Sequence, residues 1–268
     1  MELAGTIAGS AEELGYSAVW TNDSPPGDGV DVALTMLSAT SGIRVGIGAI
    51  PCDRRPMAEV AKRLTTAGQP LDRLTVVVGS GMGGTVRDVA AAVSELRDAL
   101  GEGPWVGVAA MGPRMCALAG EVADLVLLNW MSPDRITWAR EQVRTGAARR
   151  QTGLAAAEPV VASYIRVSLG QGAALRVGAE AARYGAMPAY AANFAGMGVQ
   201  SVGIAASDPS QAPAMLQPYL EVLDEAVLRP IVKVPDSSEP ALEEVFETLG
   251  VLMEVASLFA PNPAPAEG

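Results

Sequence analysis

The sequence contains no histidine among its 268 residues. This absence excludes Ser-His-Asp and Cys-His nucleophile systems, histidine-ligated metals and acid/base catalysis by an imidazole. Any proton transfer must therefore use an aspartate, glutamate, tyrosine, cysteine or lysine side chain, a bound cofactor or water.

Cysteine is also scarce, because only Cys52 and Cys116 occur. They lack the spacing of a disulfide framework or a metal cluster, so the sequence predicts no metal site and a reduced, cytoplasmic setting. The first residues lack a basic segment followed by an apolar one, and no apolar run approaches the roughly 20 residues of a membrane span. We therefore expect neither a targeting segment nor a membrane anchor.

Basic residues are outnumbered by acidic ones, 19 against 30, which gives a formal net charge of −11. This charge has the wrong sign for general attraction to phosphate backbones or anionic lipid. We therefore expect neither nucleic acid nor a membrane surface as a partner. Apolar residues make up 49% of the chain, which is enough for a sizeable core and indicates a globular protein.

What the sequence does contain is a repeated alternation of short apolar runs and helical segments. Helical stretches between continuous apolar strands are typical of an α/β protein with a parallel sheet covered by helices. Residues 1–260 are expected to form one domain, and the Pro- and Ala-rich residues 261–268 a disordered tail. Seven runs are predicted as strands, at 17–21, 44–50, 73–78, 105–110, 124–129, 160–167 and 224–230, and helices at 2–15, 32–40, 57–67, 85–100, 114–122, 133–150, 173–198 (broken near Pro188) and 239–249.

Two architectures fit this alternation, a closed TIM-like (β/α)8 barrel and an open doubly wound sheet. The segment from Gly79 through Gly81 to Gly84 matches G-x-G-x-x-G after a strand, as a dinucleotide fingerprint should. The fingerprint also needs an acidic residue near the end of the next strand, and Asp98 and Glu102 both lie too early. The barrel is therefore favoured, and glycines that merely close a strand-to-helix turn fit either architecture.

Several segments also carry a family resemblance when they are taken in order. They are residues 11–16 (AEELGY), 18–23 (AVWTND), 43–48 (IRVGIG), 55–56 (RP), 71–74 (LDRL), 78–81 (VGSG), the more specific 109–115 (AAMGPRM), 119–124 (AGEVAD) and 127–130 (LLNW), and finally 188–190 (PAY) and 197–198 (MG). Together they resemble the bacterial-luciferase-like flavin-dependent oxidoreductases, particularly the branch that uses the deazaflavin coenzyme F420.

This resemblance implies a TIM-like barrel that holds a flavin or deazaflavin at the carboxyl ends of its strands, as a homodimer. Two departures from the family pattern stand out. The sequence has Asp23 and Ser24 where the family commonly has Asp-His, so the proton-transfer role often given to that histidine cannot operate. The chain also begins at what resembles the first helix, so the barrel is expected to lack the first strand of the family.

The candidate site residues lie where predicted strands end, because that face of a barrel carries the active site. Asp23 is the candidate acid or base, with a helix-cap or turn role as the alternative. Residues expected to bind the cofactor are Asp23, Ser24, Gly48, Ala49, Ser80, Gly81, Ala109, Ala110, Met111, Gly112, Pro113 and Arg114. Residues expected near the substrate or the anionic cofactor tail are Arg54, Arg55, Asn129 and Trp130, with solvated-loop or packing roles as alternatives.

Two of these segments carry a specific structural expectation. Pro113 is well placed as the first residue of a helix, so free N–H groups and the helix dipole would face a phosphate or ring carbonyl, although an ordinary strand-to-helix turn is the alternative. Gly48 and Ala49 resemble the place where F420-type members carry a non-prolyl cis peptide behind the ring. An ordinary trans strand with two small residues is the alternative.

The resulting functional hypothesis is an oxidoreductase that uses F420, or alternatively FMN, for hydride transfer to or from, or oxygenation of, a small organic substrate. A second hypothesis is a non-catalytic flavin- or deazaflavin-binding or dimerisation protein on a degenerate barrel. A third is a nicotinamide-dependent dehydrogenase that uses Gly79 to Gly84 and an open sheet.

Overall fold

The computed structural model describes residues 2–24, 27–150, 154, 158–232 and 250. Within these residues the chain alternates between parallel strands and α-helices, as the apolar periodicity predicts. The strands are β1 Ala18–Thr21, β2 Arg44–Pro51, β3 Leu74–Gly79, β4 Trp105–Ala109, β5 Leu125–Asn129, β6 Val160–Leu169, β7 Ile204–Ala206 and β8 Glu225–Pro230. The helices are α1 Glu2–Glu13, α2 Gly29–Ala39, α3 Met57–Thr66, α4 Val86–Leu100, α5 Pro113–Val122, α6 Pro133–Ala147, α7 Ala173–Gly185, α8 Pro188–Met197 and α9 Ala212–Leu220.

The seven predicted strands are all present and form a nearly closed barrel. Strands β1 to β6 pair in sequential order, each parallel to the next, and β8 continues the sheet by pairing with β6. This sequential order has none of the reversal of strand order that a doubly wound sheet requires, so the open-sheet alternative is wrong. The short strand β7, which pairs with Val167–Leu169 at the end of β6, is an addition that the sequence did not predict.

Side chains alternate along each strand between two cores. Outward residues such as Val45, Ile47 and Val76 pack beneath the helices in the larger core. Inward residues form a smaller cluster inside the barrel, which consists of Val77, Leu125, Leu127, Ala162 and Val227 with Trp20 and Tyr164 packed against it. In the described structure these side chains fill the barrel interior, so a ligand is expected at the ends of the barrel.

The barrel is open between β1 and β8, where the family's first strand was expected to be missing. Within the described residues β1 pairs only with β2, and β8 pairs only with β6. The Glu225 carboxylate spans the opening, because it accepts hydrogen bonds from Trp20 Nε1 at 2.7 Å and from Arg44 Nη2 at 2.6 Å. Side chains thus connect the two edges that backbone hydrogen bonds do not join.

Most differences between the predicted and observed helices lie at their ends. Helix α2 begins at Gly29 rather than at residue 32, because the Asp28 side chain accepts from the amides of Val30 and Asp31 and caps it. The helical region that was expected to break near Pro188 does so, with α8 starting there. Helix α9 was not predicted. The expected helix at 239–249 and the tail at 261–268 lie outside the described residues.

None of the described helices combines the length and the apolarity that a membrane crossing needs.

Helices α5 and α6 approach each other so closely that glycine is required at the contact. A Cβ built on Gly146 would lie 1.8 Å from the Ala117 carbonyl oxygen, and one on Gly120 would lie 2.0 Å from the Val143 carbonyl oxygen. Both obstacles are backbone atoms, which cannot move aside as a flexible side chain can. The α5–α6 pair therefore fixes the position of α5, whose start faces the candidate site.

We expect Gly146→Ala to lower the free energy of unfolding by about 2–3 kcal/mol, because the added methyl overpacks this contact. Gly178→Ala in α7 is the matched control, since nothing lies within 4 Å of a Cβ built there. That substitution should be neutral or stabilising by up to about 1 kcal/mol through helix propensity. Urea unfolding followed by circular dichroism measures both, and equal midpoints for the two variants would contradict the contact.

An ion-pair network surrounds the start of α2. Asp28 Oδ2 contacts Arg63 Nη1 at 2.7 Å and Arg55 Nη1 at 3.2 Å, and Arg63 also pairs with Asp31. Partial burial alone would raise the pKa of Asp28, but the hydrogen bonds from Arg63 and the Asp31 amide, with the charges of both arginines, lower this pKa to about 2. The network therefore depends on the ionised carboxylate.

Because the folded-state pKa of Asp28 is depressed, its stabilising contribution is present above the unfolded-state pKa near 4 and is lost as pH falls through about 2. Asp28→Asn keeps an oxygen for the cap but cannot titrate. We expect the stability difference between the native protein and Asp28→Asn to shrink by about 1 kcal/mol between pH 5 and pH 2.5, the value being reduced by solvent screening. Urea titrations across this range test it, and parallel stability curves would contradict it. Arg63→Gln should likewise reduce the dependence of the free energy of unfolding on pH between pH 5 and pH 2.5.

Candidate active site

Three neighbouring strands present only small residues at the carboxyl end of the barrel. Ala49 on β2 and Ala109 on β4 pack on the inner cluster, with Gly79 of β3 between them. A Cβ built on Gly79 would lie 3.3 Å from the Ala49 Cβ and 3.8 Å from the Ala109 Cβ, so the three positions share one patch. We call Ala49, Gly79 and Ala109 the small-residue floor. It is apolar and carries no side chain longer than a methyl group, so a planar ring can lie against it.

The peptide bond between Gly48 and Ala49 is cis, so the predicted non-prolyl cis peptide is confirmed. The pairing of β2 with β3 shifts register between Gly48 and Ile50, which marks a bulge. The Tyr164 hydroxyl on β6 donates a hydrogen bond to the Gly48 carbonyl at 3.0 Å. A Cβ on Gly48 would lie 2.3 Å from Leu127 Cδ2, so a larger residue here would require the Leu127 side chain to shift.

The start of α5 is open on this face. Gly112 is its N-cap residue and supplies no side-chain hydrogen bond, and a Cβ built on Gly112 would have nothing within 4 Å. Among the described residues, the amides of Met111, Gly112, Arg114 and Met115 have no hydrogen-bond acceptor. Such a helix start, with the positive end of its dipole, attracts an anion.

Two residues beside this helix start differ in whether their polar groups are free to bind a ligand. Arg114 is exposed, and within the described part of the chain its side chain has no ion pair or hydrogen bond. Ala110 is buried, and its amide already donates to the Leu127 carbonyl at 3.1 Å. Arg114 can therefore add a positive charge to the site, whereas Ala110 contributes shape.

The glycine-rich loop is occupied by a carboxylate of the protein itself. Asp53 Oδ2 accepts hydrogen bonds from the amides of Met82 and Gly83, both at 2.9 Å. A Cβ on Gly81 would lie 1.8 Å from Asp53 Oδ1, so the loop is wrapped tightly around this side chain. These amides are not available for a pyrophosphate, which removes the basis of the nicotinamide alternative. Ser80 and Gly81 follow the small-residue floor but offer no open amide cradle.

Asp23 is buried and its carboxylate is already engaged. Oδ1 accepts from the Gly29 amide at 2.9 Å and from Arg55 Nη1 at 3.1 Å. This geometry matches the cap-and-turn alternative and leaves a catalytic role for Asp23 without support. Arg55 is held between Asp23 and Asp28, whereas Arg54 is exposed and has no partner among the described residues.

Ser24 is exposed, and its Oγ accepts a hydrogen bond from Asn22 Nδ2 at 3.1 Å. Both side chains lie on the loop that follows β1. Neither contacts the small-residue floor through a hydrogen bond in the described structure.

Trp130 is fully buried and packs between protein side chains. Its ring contacts Tyr184 and Phe194 with centroids 5.3 Å and 5.5 Å away, and the Arg166 guanidinium lies 4.1 Å from the ring centroid. The Trp130 carbonyl accepts from Asn193 Nδ2 at 2.7 Å. The structure therefore supports the packing alternative rather than a wall that contacts substrate.

A polar cluster on β5, β6 and β8 faces the same end of the barrel, and sequence reasoning missed two of its members, Arg166 and Glu180. Arg166 on β6 is 2% exposed and donates to Asn129 Oδ1. Asn129 Nδ2 in turn donates to the Tyr190 hydroxyl at 3.2 Å. Glu180 of α7 lies 3.5 Å from Arg166 and 3.4 Å from Arg229 of β8. We call Arg166, Asn129, Tyr190, Glu180 and Arg229 the polar cluster.

A sequence signal for this cluster did exist. Arg166 interrupts the apolar strand β6 in the inward register of Ala162 and Tyr164, where a charge needs a partner. That partner, Glu180, lies on a helix and could not be chosen from spacing alone.

The site holds hydroxyl groups and fixed charges. Burial raises the pKa of Tyr164 and of Tyr190, so both hydroxyls stay protonated at neutral pH. Burial also lowers the pKa of Arg166. In the described residues no group of three or more Cys, Asp or Glu side chains could hold a metal ion. The arrangement can orient and polarise a ligand, and the unpaired amides at the α5 start can accept an anion.

Comparison with solved structures identifies the same fold in redox enzymes. An F420-dependent secondary alcohol dehydrogenase, in complex with an F420-acetone adduct, is 17% identical and superimposes with a TM-score of 0.70, covering 94% of this chain and 92% of that one. The coenzyme F420-dependent tetrahydromethanopterin reductase of Methanopyrus kandleri is 17% identical, with a TM-score of 0.68 and coverages of 94% and 93%.

A third similar structure contains FMN. It is the oxygenating constituent of 3,6-diketocamphane monooxygenase from Pseudomonas putida, a type II Baeyer-Villiger monooxygenase, at 12% identity, a TM-score of 0.59 and coverages of 94% and 91%. At such identities the likeness establishes the fold alone. No curated protein sequence matches the chain.

The profile of one protein family matches residues 84–232, which is more than half of the chain and includes α5, β5, β6 and the polar cluster. The match confirms the resemblance seen in the sequence. The chain belongs to the luciferase-like monooxygenase family.

Proposed function

We propose that this chain is an oxidoreductase that binds F420, with FMN as the alternative cofactor, and uses it for hydride transfer or oxygenation at a small organic substrate. The observation that carries the proposal is the small-residue floor beside the open start of α5. A flat apolar patch and an unfilled anion site, adjacent on one barrel face, fit the ring and the phosphate that both cofactors contain.

The residues of this chain would divide the binding between two elements. Ala49, Gly79 and Ala109 would contact the ring face, because no longer side chain intervenes there. The amides of Gly112 and Arg114, with the Arg114 guanidinium, would hold the phosphate. When bound, F420 supplies hydride chemistry, and FMN can supply either hydride or oxygen chemistry.

The polar cluster would form the opposite wall of the site. Asn129 and Tyr190 are linked by a hydrogen bond, and the protonated Tyr190 hydroxyl is a donor available at this end of the barrel. No histidine is present and Asp23 is engaged, so a proton needed by the reaction would come from such a hydroxyl or from water. The filled barrel interior beneath would exclude water from the other side.

The preference for F420 over FMN rests on the family resemblance of the late helical segment around Pro188 and Tyr190. Similar folds occur in proteins that use either cofactor. A homodimer, which the resemblance implies, is part of the same proposal. Light scattering on the purified protein, with and without cofactor, measures it.

We expect saturable binding of F420 or FMN, and at least a 10-fold weakening of that binding in Gly112→Asp. The introduced carboxylate would repel the phosphate, while the open space around Gly112 lets the fold accept it. An N-cap Asp should also keep the cofactor-free protein as stable as before, within a few tenths of a kcal/mol. Fluorescence titration and thermal shift measure affinity and stability.

Gly112→Asn is the matched control, because it has nearly the same size and capping ability without the charge. Its affinity should fall by less than about 3-fold. If the folded native protein binds neither cofactor at tens of micromolar, the proposal fails and the non-catalytic alternative gains. Equal cofactor affinity of the native and Gly112→Asp proteins would show that the cofactor phosphate does not bind at the start of α5.

A further inference from the structure

The polar cluster contains an uncompensated positive charge. Arg166 and Arg229 are directly paired residues of the parallel strands β6 and β8, so their side chains emerge side by side on the same face of the sheet. Like charges in such positions repel each other unless an anion lies between them. Glu180 Oε1 is that anion, at 3.5 Å from one guanidinium and 3.4 Å from the other. One carboxylate balances only one of the two arginines.

The two arginines differ in how many partners their guanidinium groups already have. Arg166 is buried against the Trp130 ring and donates to Asn129 in addition to its pairing with Glu180. The Arg229 side chain remains 34% exposed, and among the described residues the contact with Glu180 is its single ion pair or hydrogen bond. A guanidinium carries five N–H donors in a planar fork that suits carboxylates, phosphates and sulfonates. Arg229 therefore has both the spare charge and the spare donors.

The position of Arg229 separates it from the proposed cofactor site. In the strand order, β8 follows β6, whereas the small-residue floor spans β2 to β4 and α5 follows β4. Around a nearly closed barrel these strands lie on opposite sides of the mouth. A ligand between them would have its cofactor on one side and Arg229 on the other.

We propose that the substrate of this enzyme is a small organic anion whose negative group binds Arg229. The assignment rests on the proposed function, since it places a substrate opposite the cofactor. Glu180 is a positioning residue that holds the two guanidinium groups together and moderates their charge. Glu180 neutralises one of the two guanidinium charges, and the negative group of the substrate neutralises the other.

Inorganic phosphate is the probe, titrated at constant ionic strength into full-length protein that carries Gly112→Asp. That substitution places a carboxylate at the other anion site, so the titration reports on the polar cluster. We expect saturable binding, weakened at least about 10-fold by an added Arg229→Gln and by a clearly smaller factor by Arg229→Lys, which keeps the charge but loses the planar fork. Absence of saturable binding, or no effect of Arg229→Gln, would overturn the proposal.

Glu180→Gln gives a prediction of opposite sign. Removing the balancing carboxylate should strengthen phosphate binding by roughly 5-fold, whereas a purely structural role would leave it unchanged or weaken it. Weakened binding in a variant with an unchanged circular dichroism spectrum would contradict the charge argument. If Glu180→Gln does not fold, the comparison of Arg229→Gln with Arg229→Lys still decides.

A second titration distinguishes substrate from cofactor as the source of the anion. F420 and FMN should bind Arg229→Gln, in the Gly112 background, with an affinity within about 3-fold of the native protein. A loss of 10-fold or more would assign Arg229 to the cofactor tail and overturn the substrate assignment. If the native protein binds no cofactor, the proposed function fails, while the phosphate result independently reports whether Arg229 binds anions.

Discussion

The Glu225 carboxylate holds the barrel together where its backbone does not. It bridges β8 to Trp20 of β1 and to Arg44 of β2 across the opening between the two edge strands. Its side chain is only 10% exposed, so these hydrogen bonds lie in a poorly solvated region and are stronger than at the surface. One inward carboxylate thus connects the two edge strands of the sheet that curves between the small-residue floor and β8. Arg229 lies four residues further along the same strand, at the ligand end.

The sequence predicted the seven main strands and most helices because these features are local, whereas the cis peptide was predicted from the family resemblance. Apolar runs, caps and proline positions are visible within a few residues, and the family resemblance located Gly48 and Ala49. The pairings of Asp23, Asp53 and Glu180 could not be predicted in the same way. Asp23 and Arg55 are 32 residues apart, and Asp53 and Met82 are 29 apart. The contacts of Glu180 with Arg166 and Arg229 depend on how α7 packs on the sheet. A carboxylate with two possible roles is assigned only when its neighbours are known.

The absence of histidine limits what the protein contributes to chemistry but not what it contributes to binding. The groups that face the carboxyl end are protonated tyrosines, amides, arginines and the Glu180 carboxylate, which is paired with two arginines, so most of them orient a ligand or stabilise charge. Such a site suits a reaction in which the redox step belongs to a bound cofactor. Family membership and the small-residue floor agree with this interpretation, in which the protein binds and orients and the cofactor carries out the redox step.

Three features on this face attract anions, and they differ in how far a carboxylate of the protein already neutralises them. The loop amides of Met82 and Gly83 are filled by Asp53, the Arg166–Arg229 pair is half neutralised by Glu180, and the α5 start has no internal anion among the described residues. The chain has a net charge of −11, which repels negative ligands. The α5 start and the Arg166–Arg229 pair are not fully neutralised by protein carboxylates, so the local potential at these two sites favours anions. The unfilled positions lie on different sides of the barrel mouth. They therefore suit the two anionic groups proposed above, one on a cofactor and one on its substrate, which would approach from opposite sides.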